Sequence, residues 1–450
     1  MHHQAQSVIN FLQSSGVCTS ADIQSALKIS QPTVARILSD LEDDIFTFGS
    51  ARSTRYALGH SIGVMPAQQS IWMVDVNDNP KRIGQLTFLS KSQIHLGADG
   101  VDEVFDATPK DPLPWLLSGL RPQGFLGRVL AQRMGTQVSG SNPDSWGVEE
   151  VLLGACHTHD APGALLIGDP TSTKPDASAK ISTINPGPDL DRLSLDVAKT
   201  LPAGSSAGGE QPKLVTFNDA GDAFVVKFSA PRGTPFGDRW TDLLVCESIS
   251  AQTLNGFGVH AASNEIIQTD SRTYLLSRRF DRTPTGGRRH VISIGAAHNG
   301  FCKGTYTNWV STCYELVRQK RLSKEDADLT HDILMFGRLI GNSDMHSGNA
   351  GLFVNGESLQ KMLEGKFSLA PVYDMLPMKW KPDAMVGVFG YEPFNPDYSM
   401  ASNEVRGVAQ AFWSAVATHP LISKELQAVA LDMTTRMGYV QKTDEFMRQN

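Results

Sequence analysis

The order of apolar and polar positions in the first 62 residues predicts three short helices followed by a hairpin of two strands. Apolar residues recur every three or four positions in the helical segments, and short apolar runs flank a Gly-Ser turn in the hairpin. Thr19 and Ser30 stand at the expected helix N-caps, and Pro32 lies in the first turn of the third helix. The predicted elements are helices at 4–13, 19–27 and 30–41 and strands at 45–48 and 55–58. Three helices and a hairpin within about 60 residues are typical of a winged helix-turn-helix.

The pattern changes further along the chain. Short strands dominate residues 65–170 and indicate a small mixed α/β domain, and a stretch rich in Pro, Ser and Thr at 170–188 indicates a linker or a surface loop. Strands prevail again in 190–280, whereas 281–450 carries helical periodicity. We therefore expect an α+β protein made of a winged helix-turn-helix, a small mixed domain and a bilobal C-terminal part.

Composition and charge restrict the class of protein. The 450 residues are 40% hydrophobic with a formal net charge of −7, which suits a soluble protein of several domains rather than one that coats nucleic acid by bulk charge. No apolar run approaches the roughly 18 residues of a spanning helix, and no Lys or Arg precedes Asp22 as a secretory signal would require. The expected location is cytoplasmic, without a membrane partner. The five cysteines form no C-x-x-C pair, which argues against a disulfide framework or a structural zinc site.

A first group of residues with chemical potential lies between 205 and 254. The small-residue loop 205–213 has a backbone that can approach phosphate oxygens, although such a loop alone is more often a flexible surface turn. The strand 223–228 follows it and carries Lys227 near its end, as the phosphate-binding lysine of a kinase does. Glu247 lies in the predicted helix 242–254, where it could pair with Lys227.

The strongest single signal is the segment 339–349, which contains D-x-x-x-x-N, the spacing of a kinase catalytic loop. In that pattern Asp344 would accept the proton of a substrate hydroxyl, and Asn349 would bind magnesium. Asp374 follows where a second metal-binding carboxylate is expected, and oxygen ligands of this kind suit Mg²⁺. Many proteins contain this spacing by chance, so the order of the whole set supports the kinase interpretation more than any member does.

The motifs in series resemble the HipA family of bacterial Ser/Thr protein kinases, which are toxins of toxin–antitoxin systems, and the extra helix-turn-helix resembles its YjjJ-like subgroup. The motifs are Ser205-Ser206-Ala207-Gly208, Gln211-Pro212-Lys213, Val226-Lys227, Arg279-Phe280-Asp281-Arg282, Ser343-Asp344-Met345-His346-Ser347-Gly348-Asn349 and Tyr373-Asp374. The resemblance covers roughly residues 70–420. It implies a kinase that uses ATP and Mg²⁺ and phosphorylates a Ser or Thr hydroxyl of a protein, and an antitoxin protein as a further partner.

The resemblance also implies roles for single residues. Lys227 would hold the ATP phosphates while paired with Glu247, and the backbone from Arg278 to Phe280 would meet the adenine. His346 would support the catalytic loop beside the ATP, with a proton carrier as the alternative role. Asp344 would be the catalytic base, with Asn349 and Asp374 as the magnesium ligands. Ser205 or Ser206 would be the autophosphorylated serine, whose modification switches the kinase off. The segment 286–309 does not resemble the family pattern, so the identity of the protein substrate is not carried over.

The N-terminal helices raise a separate hypothesis of DNA binding. Gln31, Thr33 and Arg36 would head the recognition helix, and Arg52 and Arg55 would lie in the wing. Residues 1–60 contain four basic against five acidic residues, so dimerisation or protein docking is the alternative.

Two rival functions follow for the whole chain: a DNA-binding transcriptional regulator whose kinase-like part only senses nucleotide, and a small-molecule kinase on the same scaffold.

One cluster of potential metal ligands, Cys156-His157-Thr158-His159-Asp160, is better explained as a surface turn. Its members are too close in sequence to converge on one ion, and no distant Cys or His partner is apparent.

Overall fold

The computed structural model of the chain describes residues 2–41, 44–158, 160–170, 179–200, 211–383 and 385–448. The helices are α1 (His2–Ser15), α2 (Ser20–Leu27), α3 (Gln31–Asp40), α4 (Gly124–Met134), α5 (Val148–Cys156), α6 (Gly187–Thr200), α7 (Pro235–Gly256), α8 (Ile294–Phe301), α9 (Trp309–Arg318), α10 (Lys324–Leu339), α11 (Leu359–Leu363), α12 (Asn403–Thr418) and α13 (Lys424–Arg448). The strands are β1 (Cys18–Thr19), β2 (Ile45–Phe48), β3 (Arg55–Leu58), β4 (Gln68–Val74), β5 (Pro80–Leu89), β6 (Gln93–Ala98), β7 (Val101–Asp106), β8 (Leu165–Ile167), β9 (Lys180–Ile181), β10 (Lys213–Asn218), β11 (Ala223–Phe228), β12 (Asn264–Gln268), β13 (Thr273–Arg278), β14 (Val291–Ser293), β15 (Gly351–Asn355) and β16 (Lys366–Leu369).

The N-terminal unit (residues 2–58) packs α1, α2 and α3 around a small apolar core and ends in the sheet β1-β3-β2. The predicted helices and both predicted strands are confirmed. Thr19 caps α2 as expected, because its Oγ1 accepts a hydrogen bond from the Asp22 N–H at 3.3 Å. At Ser30 the expected cap bond is replaced, since its hydroxyl lies 2.9 Å from that of Thr33 and makes no bond to the backbone of α3.

The middle unit (residues 68–167) is built on an antiparallel sheet in the order β7-β6-β5-β4-β8, and α4 and α5 lie between β7 and β8 in the chain. The N-terminal unit is joined directly to this sheet. The Ser90 hydroxyl donates to the Leu12 carbonyl at 3.0 Å, and the Val17 N–H donates to Gln93 Oε1 at 2.8 Å. Arg55 of β3 forms an ion pair of 2.8 Å with Asp102 of β7. Two units that the sequence pattern separates are therefore held together by specific polar contacts.

The strand-rich unit (residues 180–278) has a sheet in the order β12-β13-β11-β10-β9, packed against α7. The prediction of a linker across 170–188 was wrong at its C-terminal end, because Lys180 and Ile181 form β9, which pairs in parallel with β10, and α6 begins at Gly187. Residues 171–178 lie outside the described ranges. The apolar Ile181 side chain, 2% exposed, belongs to the core of this sheet, which explains why the segment is ordered against it.

The helical unit (residues 291–448) contains α8 to α13 and the small sheet β14-β15-β16. Its largest fully buried side chains include Trp309, Phe336, Phe412 and Trp413. The segment between α10 and β15 is short and irregular, and it faces the strand-rich unit across a cleft. Among the described residues, no helix combines the length and the apolarity that crossing a membrane requires.

Candidate active site

Lys227 is placed at the centre of the strand-rich unit by the order of its sheet. It lies on β11, which is flanked by β10 and β13, and only 5% of the residue is exposed. Its Nζ donates to both carboxylate oxygens of Glu247, at 2.6 and 2.7 Å, and to Oδ1 of Asp374. Burial alone would lower the pKa of this ammonium, but the carboxylates of Asp374 and Glu247 raise the pKa well above its usual value. Lys227 is therefore a permanently charged group held by two acids.

Glu247 lies in the middle of α7, which begins at the N-cap Thr234 with Pro235 in its first turn. The residue is 3% exposed, and burial raises the pKa of its carboxyl, against the opposing effect of Lys227. The pairing of Glu247 with Lys227 that the sequence predicts is confirmed by the contact between the two side chains. A buried carboxylate needs a counter-charge, and Lys227 supplies it. The helix is longer than the predicted 242–254 by about two turns at its N-terminus.

The catalytic-loop candidate follows the end of α10, where Gly341 has a φ of +78° that glycine adopts without strain. Asp344 is half-buried and lines the cleft, and its carbonyl accepts a hydrogen bond of 2.7 Å from Nδ2 of Asn349. His346 turns the loop: its Nδ1 accepts from the Gly348 N–H at 3.0 Å, and its carbonyl accepts from Nε1 of Trp309 at 2.8 Å. These contacts fix the backbone of the loop on both sides of His346.

Asp374 lies in a second loop that lines the same cleft. Its backbone has a φ of +53°, a left-handed conformation that is unfavourable for a residue other than glycine. Burial would raise the pKa of its carboxyl, but Lys227 and, more weakly, Lys213 hold the pKa below its usual range. The neighbouring Tyr373 hydroxyl donates to the Gly348 carbonyl at 2.7 Å, so the two loops are bonded to each other.

A single cleft of about 1940 Å³ contains these groups. It is lined by Lys227, Asp344, His346, Asn349 and Asp374, together with Arg278 and Phe280 at the end of β13. The Arg278 guanidinium is paired with Asp222, and the Phe280 ring packs 5.8 Å from that of Tyr373 and 5.9 Å from that of Phe353. The backbone between the two residues therefore borders the cleft where the sheet meets the helical unit.

A second lysine was not assigned a role in the sequence analysis. Lys213, the first residue of β10, lies directly opposite Lys227 in the antiparallel pair and lines the same cleft. Its charge adds to that of Lys227 in holding down the pKa of Asp374, and it weakly opposes the rise that burial causes in the pKa of Glu247. The motif Gln211-Pro212-Lys213 was the available signal, but strand register is needed to bring the two lysines side by side.

An ion-pair cluster that the local sequence does not indicate joins the middle unit to the segment after β13. Arg279 donates to Asp160 at 2.7 Å and to Asp281 at 2.9 Å, and Arg282 donates to the same two carboxylates at 2.8 Å each. The predicted surface turn is present, since His157 and Asp160 are exposed turn residues, but it also takes part in these ion pairs. Cys156 is buried at the end of α5, and Asp160 bonds to a part of the chain more than a hundred residues away.

Only some of the residues predicted to contact DNA lie together on one exposed surface. Gln31 and Arg36 are exposed on α3, and Thr33 is half-buried beside them. Arg55 points to the middle unit, because its guanidinium pairs with Asp102. The side chain of Arg52 lies outside the described part of the chain, as do Ser205 and Ser206.

The side chains of the cleft supply only some of the ligands that a small divalent cation needs. Within the described ranges, no group of three or more His, Cys, Asp or Glu side chains is placed to share an ion. Asp374 offers a carboxylate, and Asn349 uses its Nδ2 for Asp344, which leaves its amide oxygen as a possible ligand. One carboxylate, one amide and the oxygens of a bound phosphate are the usual environment of protein-bound Mg²⁺.

Comparison with known proteins assigns two segments of the chain to known families. The family described as "HipA-like C-terminal domain" matches residues 205–437, and the family described as "YjjJ-like toxin, middle domain" matches residues 65–174. Toxin YjjJ of Escherichia coli (strain K12) is 31% identical over 449 residues, which are 95% of this chain and 96% of that protein.

A solved structure supports the fold. The complex of Shewanella oneidensis MR-1 HipA with HipB and operator DNA contains a chain that matches 81% of this one over 95% of its own length, with a TM-score of 0.50 and 15% sequence identity. At that identity the likeness concerns the fold alone. Together, the family matches and the full-length relative show that this chain belongs to the YjjJ-like toxins, whose C-terminal domain is HipA-like.

Proposed function

We propose that the protein is an ATP- and Mg²⁺-dependent Ser/Thr protein kinase of the HipA type that acts as a growth-inhibiting toxin or regulator. The observation that carries this proposal is the position of one ammonium, that of Lys227, bound by Glu247 and Asp374 in the same cleft as Asp344 and Asn349. A lysine fixed by a helical glutamate, a catalytic aspartate and a pair of metal ligands are the recurring parts of protein kinases.

In this mechanism each residue has a separate task. Lys227 would hold the phosphates of ATP in line with the attacking hydroxyl, and Asp344 would accept the proton of that hydroxyl as the γ-phosphoryl group leaves ADP. Asn349 and Asp374 would hold magnesium, which neutralises charge on the phosphates when bound. The backbone from Arg278 to Phe280 would bind the adenine, since it borders the cleft at the end of β13.

We propose further that the kinase is controlled by autophosphorylation at Ser205 or Ser206. Both serines lie in a segment rich in Gly and Ala, directly before Lys213 in the sequence. A phosphate of about −1.5 to −2 charge beside ATP and the acids of the cleft would be repelled by them and would weaken nucleotide binding.

The N-terminal unit is proposed to be a winged helix-turn-helix that binds DNA. Its support is the order of three helices and a hairpin and the exposed face of α3 with Gln31 and Arg36. A HipA chain that resembles the larger part of this chain was solved in complex with HipB and operator DNA. Arg55 is a weaker candidate for the wing, because Asp102 neutralises it. An antitoxin protein is proposed as a partner on the same ground, and dimerisation through the N-terminal unit is the alternative to DNA binding.

The test is mass spectrometry of the purified protein after incubation with ATP and Mg²⁺. Phosphate on Ser205 or Ser206 in the wild type and none in Asp344→Asn would support an active kinase. ATP binding without transfer to any protein hydroxyl would instead support a nucleotide sensor attached to a DNA-binding unit, and transfer only to a small molecule would support the third function.

A further inference from the structure

Asn342 is a buried polar residue between the end of α10 and Asp344, and none of the roles above uses it. The residue is 4% exposed, and its backbone N–H donates to the Gly337 carbonyl at 2.8 Å, which fixes it to the last turn of the helix. Because α10 packs in the core of the helical unit, the backbone of Asn342 is held in a fixed position.

The side-chain amide of Asn342 is bonded in two directions. Its Oδ1 accepts a hydrogen bond from the Asp344 N–H at 3.0 Å, and its Nδ2 donates to the Asp374 carbonyl at 3.2 Å. One amide thus connects the loop of the proposed base with the loop of the proposed metal-binding carboxylate. These loops are separated by about thirty residues of chain that include β15, α11 and β16.

The second of these bonds acts on a strained backbone. Asp374 has a φ of +53°, and such a conformation persists only where the surroundings hold it. A bond to the carbonyl of that same residue is a direct way to hold it. The bond requires a donor, and the bond to Asp344 requires an acceptor, so an amide meets both needs while a carboxylate meets only one.

We propose that Asn342 is a positioning residue that sets the place of the Asp374 carboxylate relative to Asp344 and thereby the affinity of the site for Mg²⁺ with ATP. This inference rests on the proposed function, since it concerns the same site. Asn342 contacts neither nucleotide nor substrate in this mechanism, and it acts through the backbones of the two aspartates.

The informative variant is Asn342→Asp, which has nearly the same shape and keeps the acceptor but loses the donor. Asn342→Leu loses both. The matched control is Asn218→Asp, because Asn218 is also a buried turn asparagine, 8% exposed, and its Oδ1 accepts from the Ala220 and Asp222 N–H groups at 3.0 and 2.9 Å. Calorimetric ATP affinity is measured with EDTA and at increasing Mg²⁺, along with the melting temperature and the Mg²⁺ dependence of phosphoryl transfer.

We expect Asn342→Asp to raise the Mg²⁺ concentration for half-maximal ATP binding by roughly 10–100-fold, as changes to residues behind metal ligands commonly do, with unchanged ATP affinity in EDTA. Asn342→Leu should show at least the same shift, and Asn218→Asp should show none. A folded Asn342→Asp protein with wild-type Mg²⁺ dependence, or one that only melts earlier, overturns the inference.

The failure of the proposed function has a different signature. A wild-type protein that binds ATP with Mg²⁺ but transfers no phosphate would contradict the kinase proposal, while the binding titration would still decide the role of Asn342. A wild-type protein that binds no ATP under any condition would overturn both.

Discussion

Asp160 and Arg279 are joined by a 2.7 Å ion pair although they lie 119 residues apart in the sequence. The pair connects the loop before β8 of the middle unit with the segment that follows β13 and borders the cleft. The Ala161 carbonyl accepts from the same guanidinium at 3.1 Å. The middle unit is thus bonded to the proposed adenine-binding segment, and its role includes holding that segment in place.

The first prediction concerns acid stability. The Asp160 side chain is 44% exposed, and the guanidinium groups of Arg279 and Arg282 beside it hold the pKa of its carboxyl below the usual range against the opposing effect of partial burial. Such a group contributes stability that is present above its unfolded pKa of about 3.9 and is lost as the pH falls through the folded value. Asp160→Asn should therefore lower the melting temperature at pH 7 and flatten its dependence on pH below about 4. Asp144→Asn, on the same unit, is the control, and equal pH slopes for Asp160→Asn and wild type would contradict the prediction.

The second prediction is that Asp344→Asn removes phosphoryl transfer and spares ATP binding. Loss of a general base typically lowers the rate by about 10²–10⁴-fold, and the half-buried Asp344 side chain is not part of an apolar core. Single-turnover transfer and calorimetry on the same preparation measure the two properties. Autophosphorylation at the wild-type rate would show that this loop is not catalytic.

The third prediction separates the lysine from the metal ligands. Asn349→Ala and Asp374→Ala should weaken ATP binding only when Mg²⁺ is present, whereas Lys227→Met should weaken it with and without the metal. Lys227→Met should also lower the melting temperature, because it leaves Glu247 buried without its counter-charge. The same ATP affinity in wild type and all three variants would refute the site.

The fourth prediction concerns DNA. Arg36→Ala should weaken binding to a preferred duplex by about 1–3 kcal/mol if the exposed side chain contacts a base edge. Arg52→Ala should weaken binding to all sequences and reduce the salt dependence if it contacts phosphate. Arg55→Ala should instead lower the melting temperature with a smaller effect on DNA, since it breaks the pair with Asp102. Anisotropy titrations at low salt that detect no duplex binding by the folded protein would leave the N-terminal unit as a docking or dimer module.

The fifth prediction is that phosphorylation of Ser205 or Ser206 switches the enzyme off. Replacing both serines by Ala should abolish modification in this segment and keep activity toward a protein substrate, while a Ser→Asp change at the modified position should lower ATP affinity. Phosphosite mapping and calorimetry on each form provide the measurements. Phosphate found only elsewhere, or full affinity in the phosphorylated protein, would exclude this mechanism without affecting the kinase proposal.

The local pattern of apolar, polar and capping residues was sufficient to predict many of the helices and strands. The helices and strands of the N-terminal unit, the strand with Lys227 and the helix with Glu247 follow from periodicity and capping residues, and the Lys227–Glu247 pair was predicted from their order. The role of Asp160, the pairing of β9 and the position of Lys213 opposite Lys227 could not be predicted, because each depends on contacts between distant segments. The contact of Arg55 with Asp102 was missed for the same reason, since nothing in a local sequence window indicates which unit packs beside the wing.

The position of Lys213 beside Lys227 has a consequence for charge balance. These two cations and the two anions Glu247 and Asp374 sum to zero, and adding Asp344 makes this group of five side chains net negative. A fully ionised triphosphate placed beside these five side chains would find no surplus of positive charge among them to offset its own. We therefore expect the free nucleotide to bind poorly, so that cellular magnesium, rather than the concentration of ATP alone, sets how much of the protein is loaded.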